Sequence, residues 1–177
     1  MINRVSKSKG INLRQESNKN SLLGKEFETN TCGKCFVIDY KSEKEVTVMF
    51  YEPFYITRCQ LGNLKRGTVK NPYKPLIHGV GWFGQGKYTT KNFKFGYEIW
   101  KGLLARVYSD ELPTYKDVTV CDEWLDFQNF AGWCETQEFF GAKDKRGKSY
   151  DLDKDILSNG SKIYSPETCC FVPHEVN

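Results

Sequence analysis

The 177-residue chain is long enough for one domain, or for one domain with a small appendage, and it can bury a core without disulfide staples. Hydrophobic residues make up 39% of the chain and charged residues 27%, which excludes a disordered protein. No run approaches the ~20 apolar residues of a spanning helix. Residues 1–20 are polar, without the apolar stretch of a secretory signal. We therefore expect a cytoplasmic protein with no membrane partner.

The formal net charge of +4 conceals an uneven distribution of charge along the chain. Residues 1–23 carry a net charge of +4, residues 24–96 carry +6 and residues 97–177 carry −6. Such an asymmetry indicates that the first half faces a polyanion, and an unevenly charged but merely solvated surface is the alternative.

The seven cysteines do not suggest a secreted disulfide framework, because their number is odd and no signal precedes them. Cys32 and Cys35 have the spacing of half a zinc knuckle. No second Cys-x-x-Cys motif and no pair of neighbouring histidines completes a four-ligand site. We therefore interpret both thiols as small core residues beside a turn at Gly33.

The first 77 residues predict a basic arm followed by a small antiparallel β domain. Residues 1–22 form either a flexible arm or one short helix, and Arg4, Lys7 and Lys9 are expected to contact phosphates. Apolar and polar residues alternate over three short segments, which predicts three or four strands in a small sheet or a partly open barrel. These segments are residues 36–40, 46–50 and 55–58.

A basic loop is predicted between Gly62 and Gly67, after the last of these strands. We expect its cations, together with those that follow, to cluster at one end of the sheet. They form either a phosphate-contacting edge or a solvated loop. The residues concerned are Lys65, Arg66, Lys70 and Lys74.

The middle of the chain predicts turns and then two helices. The glycine-rich residues 79–86 lack the ending of a phosphate-binding loop, so tight turns explain them better, with Trp82 and Phe83 as candidate base-stacking rings. Residues 96–110 carry aromatic and leucine side chains at steps of three and four, which predicts a helix. A second helix is predicted over residues 122–133, capped by Asp122.

The last 26 residues predict a β-hairpin that ends in a short helix. Asn159 and Gly160 form a turn dipeptide, and Pro173 suits the first position of a helix. Asp153 then lies near the mouth of the hairpin and Asn177 lies on the helix. One carboxylate and one amide brought together in this way can hold a single hard cation such as Mg²⁺.

Five motifs follow one another in the second half of the sequence: Tyr97-x-x-Trp100 with Arg106-x-Tyr108, Pro113-Thr-Tyr115, Val120-Cys-Asp-Glu-Trp124 with Phe127-x-x-Phe130, Leu152-Asp-Lys-Asp155, and Tyr164-Ser-Pro-Glu-Thr-Cys169-x-Phe171. In this order they resemble the phage-encoded HNH-type endonuclease family, in which many members act as homing endonucleases, over residues 79–177. The resemblance implies a ββα-metal finger combined with small DNA-binding modules. The β-rich residues 24–77 resemble an accessory module of this kind.

The resemblance also implies roles for individual residues. Asp153 occupies the position of a metal-binding carboxylate, and Asn177 lies near the metal-binding amide or imidazole of the finger helix. Lys154 stands where the family usually has its histidine general base. His174 is an alternative base or ligand, because it lies three residues before Asn177.

These observations predict an α+β protein with a basic arm (residues 1–23), a β-rich DNA-binding module (24–77) and an HNH-like domain (78–177). The first hypothesis is an endonuclease of a phage-infected bacterial cell that cuts or nicks double-stranded DNA with one Mg²⁺ or Mn²⁺ ion. The alternative is a non-cutting relative that binds a nucleic acid, a nucleotide or a host protein, for example to inhibit antiviral defence. Residues 152–172 contain no histidine, which favours this alternative. A purely structural protein is the third hypothesis.

Overall fold

The computed structural model describes residues 5–109, 115–158 and 160–176, without the side chains of residues 5–12 and 14. The chain divides into two compact units, residues 1–74 and 75–177, which are taken here in turn. The predicted α+β class is confirmed, since a four-stranded antiparallel sheet in unit 1 is followed by helices and small strands in unit 2. No helix in the described ranges is long and apolar enough to cross a membrane.

Unit 1 is a helix followed by a meander of four antiparallel strands in sequential order and a short second helix. Helix α1 confirms the helical alternative for residues 5–22, and the side-chain amide of Asn18 near its end donates a hydrogen bond to the Tyr40 hydroxyl at 3.4 Å. The elements are α1 (Val5–Leu22), β1 (Glu26–Thr29), β2 (Gly33–Ser42), β3 (Glu45–Phe50), β4 (Tyr55–Cys59) and α2 (Leu61–Lys65).

The core of unit 1 lies on one face of the sheet, as the alternating sequence predicts. In β3, Val46, Val48 and Phe50 are buried, and the residues between them are half-buried on the other face. Cys32 and Cys35 are buried in the same cluster as free thiols, which confirms the interpretation of both as core residues.

The predicted loop over residues 62–67 is wrong, because its first residues form helix α2. Leu61 and Leu64, three positions apart, are both buried against the sheet and hold one helical turn in place. Gly67 then ends the helix in the left-handed conformation, at φ 67°. The Gly67 amide bonds to the carbonyl of Leu64 at 3.0 Å, and the Thr68 amide bonds to that of Asn63 at 3.0 Å, which is the Schellman pattern.

Unit 2 surrounds an aromatic core that includes Trp100, Trp124, Phe127 and Phe130, all of them buried. The helix predicted over residues 96–110 is confirmed as α3. The elements are α3 (Lys94–Tyr108), β5 (Thr119–Val120), a 3₁₀ turn (Asp122–Leu125), α4 (Phe127–Thr136), β6 (Asp151–Asp153), α5 (Asp155–Ser158), β7 (Ile163–Tyr164) and β8 (Cys170–Val172).

The second predicted helix begins five residues later than the sequence suggested. Residues 122–125 form the 3₁₀ turn, and Asp126, not Asp122, caps α4. The Asp126 carboxylate accepts a hydrogen bond from the Gln128 amide at 2.8 Å. The sequence therefore identified the helix but placed its cap one turn too early.

The antiparallel pairing predicted for the end of the chain is confirmed, with a connection much longer than a two-residue turn. Strands β6 and β8 do pair antiparallel, with Asp151 opposite Val172, but 16 residues (154–169) connect them. Within this connection β7 pairs in parallel with β5, far away in sequence. Asn159 lies outside the described residues. After Pro173 the chain forms a turn through Val176 and not the predicted helix, with the Val176 amide 2.9 Å from the Pro173 carbonyl.

Candidate functional site

Asp153, the predicted metal ligand, is buried and stabilises the local backbone. Its Oδ1 atom accepts hydrogen bonds from the amides of Asp155 and Ile156, each at 2.9 Å. A carboxylate that accepts two amides at the start of a helical turn acts as an N-cap. One of its two oxygens is therefore already engaged within α5.

Lys154, the predicted general base, has a side chain that is only 12% exposed. Its ammonium pairs with the carboxylate of Asp155 and lies 5.8 Å from the centre of the Tyr164 ring. Both contacts stabilise the positive charge. Lys154 is therefore held in an ion pair with its neighbour in the sequence.

His174 pairs with Asp151 and not with the predicted metal ligand. The distance from Nδ1 of His174 to Oδ2 of Asp151 is 2.6 Å, and both side chains are partly exposed. The pairing of β6 with β8 places Asp151 opposite Val172, so the chain that leaves β8 carries His174 back to this carboxylate. The other predicted ligand, Asn177, lies outside the described residues.

The described residues therefore do not bring together the ligand set that the resemblance implies. Among them, no group of three or more His, Cys, Asp or Glu side chains is placed to hold a metal ion. Asp153 alone offers one engaged and one remaining oxygen, whereas Mg²⁺ prefers six oxygen ligands, several of them water. The residues of the described C-terminal segment do not fit a protein-held metal centre.

Asp151 also lines a groove of about 330 Å³ between α3 and residues 149–152. Glu98 and Arg106 face it from α3, so the groove carries both signs of charge. Sequence reasoning missed this groove, although Phe95, Glu98, Ile99, Gly102 and Arg106 recur at helical spacing. These residues lie beside the core-packing residues of α3, and the helix was predicted from the core-packing residues alone. Its complement across the groove comes from a strand some 45 residues further along the chain.

The second candidate site is the basic segment, defined as residues 61–74 of unit 1. It contains four cations and no acidic residue. Leu61, Leu64, Val69 and Asn71 are buried, and the positions next to the buried Val69 and Asn71 face solvent. As a consequence Lys65, Arg66 and Lys70 are exposed and Lys74 is half-buried.

Two turns at one end of the sheet hold the second half of the basic segment. The Asn30 amide, in the β1–β2 turn, donates to the Gly67 carbonyl at 2.8 Å. The buried Asn71 side chain donates to the carbonyl of Pro53, in the β3–β4 turn, at 2.7 Å. The Asn71 amide donates to the Cys32 sulfur at 3.3 Å. Arg66, Lys70 and Lys74 are thus carried on backbone that is fixed to the sheet.

The basic residues on the strands form ion pairs with neighbouring acidic residues. Lys34 forms a 2.8 Å ion pair with Glu26, and this hydrogen-bonded contact raises the pKa of Lys34. Lys41 and Arg58 share Glu45, whose pKa is lowered chiefly by its hydrogen bond from Lys41. Within the described part of the chain, the four cations of the basic segment have no carboxylate partner.

Three further phosphate-contacting residues were predicted near the start of the chain. Arg4 lies outside the described residues. Lys7 and Lys9 lie on α1, but their side chains are outside the described part. The structure therefore brings together the cations of the basic segment, and the side chains of Arg4, Lys7 and Lys9 lie outside its described part.

The two rings singled out for base stacking have different surroundings. Phe83 belongs to the core of unit 2, where its ring lies 5.9 Å from Tyr97 and 6.2 Å from Phe127. Trp82 is half-buried, and its backbone bonds to Leu125 and Phe127 at 2.9 Å. Both residues are half-buried, and Phe83 packs against the core of unit 2.

The chain matches no protein-family model, no curated protein and no solved structure. The resemblance to HNH-type endonucleases thus stays a prediction from the motifs.

Proposed function

We propose that this protein binds nucleic acid, with the double-stranded DNA expected from the sequence as a partner, through the basic segment of unit 1. The observation that carries the proposal is a segment without an acidic residue, whose four cations have no carboxylate partner among the described residues. Lysine and arginine side chains that neutralise phosphates release counterions, and this release drives binding. Because the backbone of the segment is fixed to the sheet, little order has to be gained on binding.

The distribution of charge between the two units supports this assignment. Unit 1 contains 14 basic and seven acidic residues, whereas unit 2 contains 12 basic and 15 acidic residues. A polyanion is therefore attracted to unit 1 and repelled by unit 2 as a whole. The phosphate contacts are expected on unit 1.

The salt dependence of binding tests this proposal. We expect Lys65→Gln with Lys70→Gln to reduce the slope of log K against log salt on duplex DNA by about 1.8, because each lost phosphate contact removes about 0.9. The measurement is fluorescence anisotropy of a labelled oligonucleotide at several salt concentrations.

The matched control replaces two lysines of the same unit that already have acidic partners, Lys34→Gln with Lys41→Gln. This variant removes the same number of positive charges. Because these two lysines already pair with acidic residues, the slope of log K against log salt should stay close to that of the unchanged protein. Equal losses of slope in the two double variants would refute the basic segment as the binding surface.

DNA cleavage is a second candidate function, favoured by the contact between His174 and Asp151. A carboxylate that accepts the Nδ1 proton of a histidine fixes the ring and its tautomer. The other ring nitrogen, Nε2, is then free to take a proton from an attacking water. The adjacent groove adds Arg106, whose guanidinium suits a phosphate oxygen.

A plasmid-nicking assay with Mg²⁺, with Mn²⁺ and with chelator tests this second function. If His174 is the base, His174→Ala abolishes cleavage, and Asp151→Asn reduces it while DNA binding is retained. Full activity in His174→Ala would exclude that role. Binding without cleavage by the unchanged protein would favour the non-cutting relative.

A further inference from the structure

An apolar row crosses β2, β3 and β4 on the outer face of the sheet in unit 1, opposite its core, and ends at the charged Glu26 of β1, which lies opposite Phe36. Phe36 on β2 lies directly opposite Met49 on β3, which in turn lies opposite Ile56 on β4. These three side chains form a row across the sheet. Ile56 is 45% exposed, and Phe36 and Met49 are half-buried.

Two strongly exposed rings extend this row at the β3–β4 turn. Tyr51 is 61% exposed and Phe54 is 66% exposed. The Tyr51 ring meets Phe36 edge-on, with the ring centres 5.0 Å apart. We call these five residues the aromatic face: Phe36, Met49, Tyr51, Phe54 and Ile56.

The aromatic face does not serve the core of unit 1. The core of this unit lies on the other side of the sheet, where Leu22, Leu61 and Leu64 pack from the two helices. The exposed side of an antiparallel sheet is usually polar. Contiguous apolar groups exposed there mark an interaction site.

The aromatic face and the basic segment meet at the β3–β4 turn. The Lys74 ammonium lies 3.5 Å from the carbonyl of Glu52, and Asn71 bonds to the carbonyl of Pro53. Both carbonyls belong to the residues between Tyr51 and Phe54. From residue 50 to residue 74 the chain has five cations and a single acid, Glu52.

Rings next to cations that have no carboxylate partner in the described part of the chain suit one kind of partner. Proteins that hold single-stranded nucleic acid combine a positive track for the backbone with aromatic side chains on which the bases stack. In a duplex the faces of the bases are covered by their neighbours, so the rings would gain nothing there. An apolar protein surface would cover the rings but leave the cations without partners.

We propose that unit 1 binds single-stranded nucleic acid, with unpaired bases stacked on Tyr51 and Phe54 and phosphates on the basic segment. This inference rests on the proposed nucleic-acid binding and adds that the bound nucleic acid is single-stranded. Phe36 supports the Tyr51 ring from the side.

The experiment compares a labelled oligothymidylate with a hairpin duplex of equal nucleotide count, bound to the full chain. We expect the single strand to bind more tightly. Tyr51→Ala and Phe54→Ala should each weaken its binding about tenfold, within the range measured for loss of one stacked base. The same variants should change duplex binding less than about twofold, since they remove no phosphate contact.

Tyr51→Phe and Phe54→Trp serve as matched controls, because they keep a ring at each position. They should retain single-strand affinity, which separates stacking from any loss of structure. Alanine variants that bind oligothymidylate as tightly as the unchanged protein, or a preference for the duplex, would overturn this inference alone. Failure to bind either oligonucleotide at low salt would overturn the proposed function as well.

Discussion

Replacing Asp153 separates a structural role for this carboxylate from a role in holding a metal. Asp153→Ala removes the acceptor of two amide hydrogen bonds at the start of α5. Loss of an N-cap typically costs about 1 kcal/mol, within a range of about 0.5–2 kcal/mol. Because Asp155 and Ile156 are exposed, their freed amides can bond to water, and we expect a loss of about 1–2 kcal/mol in the free energy of unfolding.

Asp153→Asn provides the discriminating comparison. Asparagine keeps a side-chain carbonyl oxygen that can accept the same two amides and is about as good an N-cap. We therefore expect its free energy of unfolding to stay within about 0.5 kcal/mol of the unchanged protein. A metal ligand would behave differently, because the amide lacks the negative charge that binds a divalent cation.

Urea unfolding followed by tryptophan fluorescence suits this measurement. All four tryptophans (Trp82, Trp100, Trp124 and Trp133) lie in unit 2, so the signal reports the unit that contains Asp153. The ring of Trp133 lies 5.6 Å from Phe171, in the strand paired with β6. With a urea dependence of about 1–2 kcal/mol/M, Asp153→Ala should lower the midpoint by about 1 M.

Asp117→Ala is the matched control, since it removes an exposed carboxylate of the same unit. Its partner is Lys162 at 2.9 Å, and exposed pairs of this kind contribute about 0–1 kcal/mol. The capping argument is refuted if Asp153→Ala is no less stable than this control, or if Asp153→Asn loses as much as Asp153→Ala. Loss of DNA cleavage in a fully stable Asp153→Asn would instead support the metal role.

Two further predictions concern the backbone and the thiols. Gly67→Ala should lower the free energy of unfolding of unit 1 by about 1–2 kcal/mol, because φ is positive there and the new Cβ would lie 2.7 Å from Oδ1 of Asn30. Thermal melting followed by circular dichroism measures this loss, and an unchanged transition would count against the Schellman ending. Burial raises the pKa of the Cys35 and Cys169 thiols to about 11, so about 0.1% of each is thiolate at pH 8. Both should resist alkylation until the protein unfolds, as read by mass spectrometry of the labelled peptides, and rapid native labelling would contradict this. Because the unfolded thiols lose their protons near pH 8.5 and the folded ones do not, stability should fall as the pH rises towards 11.

The elements that the sequence predicted correctly have strong local periodicity. Strands β2, β3 and β4 and helix α3 each carry enough apolar residues at a spacing of two, or of three and four, to identify them. The errors arose where the local signal was short. Two leucines in α2 are too few to distinguish a helical turn from a loop, and the cap of α4 was predicted at Asp122, whereas Asp126 caps the helix.

The tertiary structure decided which side chains of unit 2 meet. His174 and Asp151 are 23 residues apart, and their contact depends on the pairing of β6 with β8. Strand β7, which pairs in parallel with β5, lies within the long connection between β6 and β8, and Asp153 at the end of β6 caps α5. No local pattern encodes these pairings, because each strand is only two or three residues long.

By itself the sequence determined the α+β class, the basic character of residues 61–74 and the core-forming stripes, since charge and periodicity are local properties. Only the tertiary structure decided that Lys34 and Lys41 on the strands pair with neighbouring acids, whereas among the described residues the cations of the basic segment have no carboxylate partner. It also decided that Phe36, Met49 and Ile56 form one apolar row across β2, β3 and β4. The physical reason is that ion pairing and exposure depend on which strands lie side by side, and long-range hydrogen bonding sets that order.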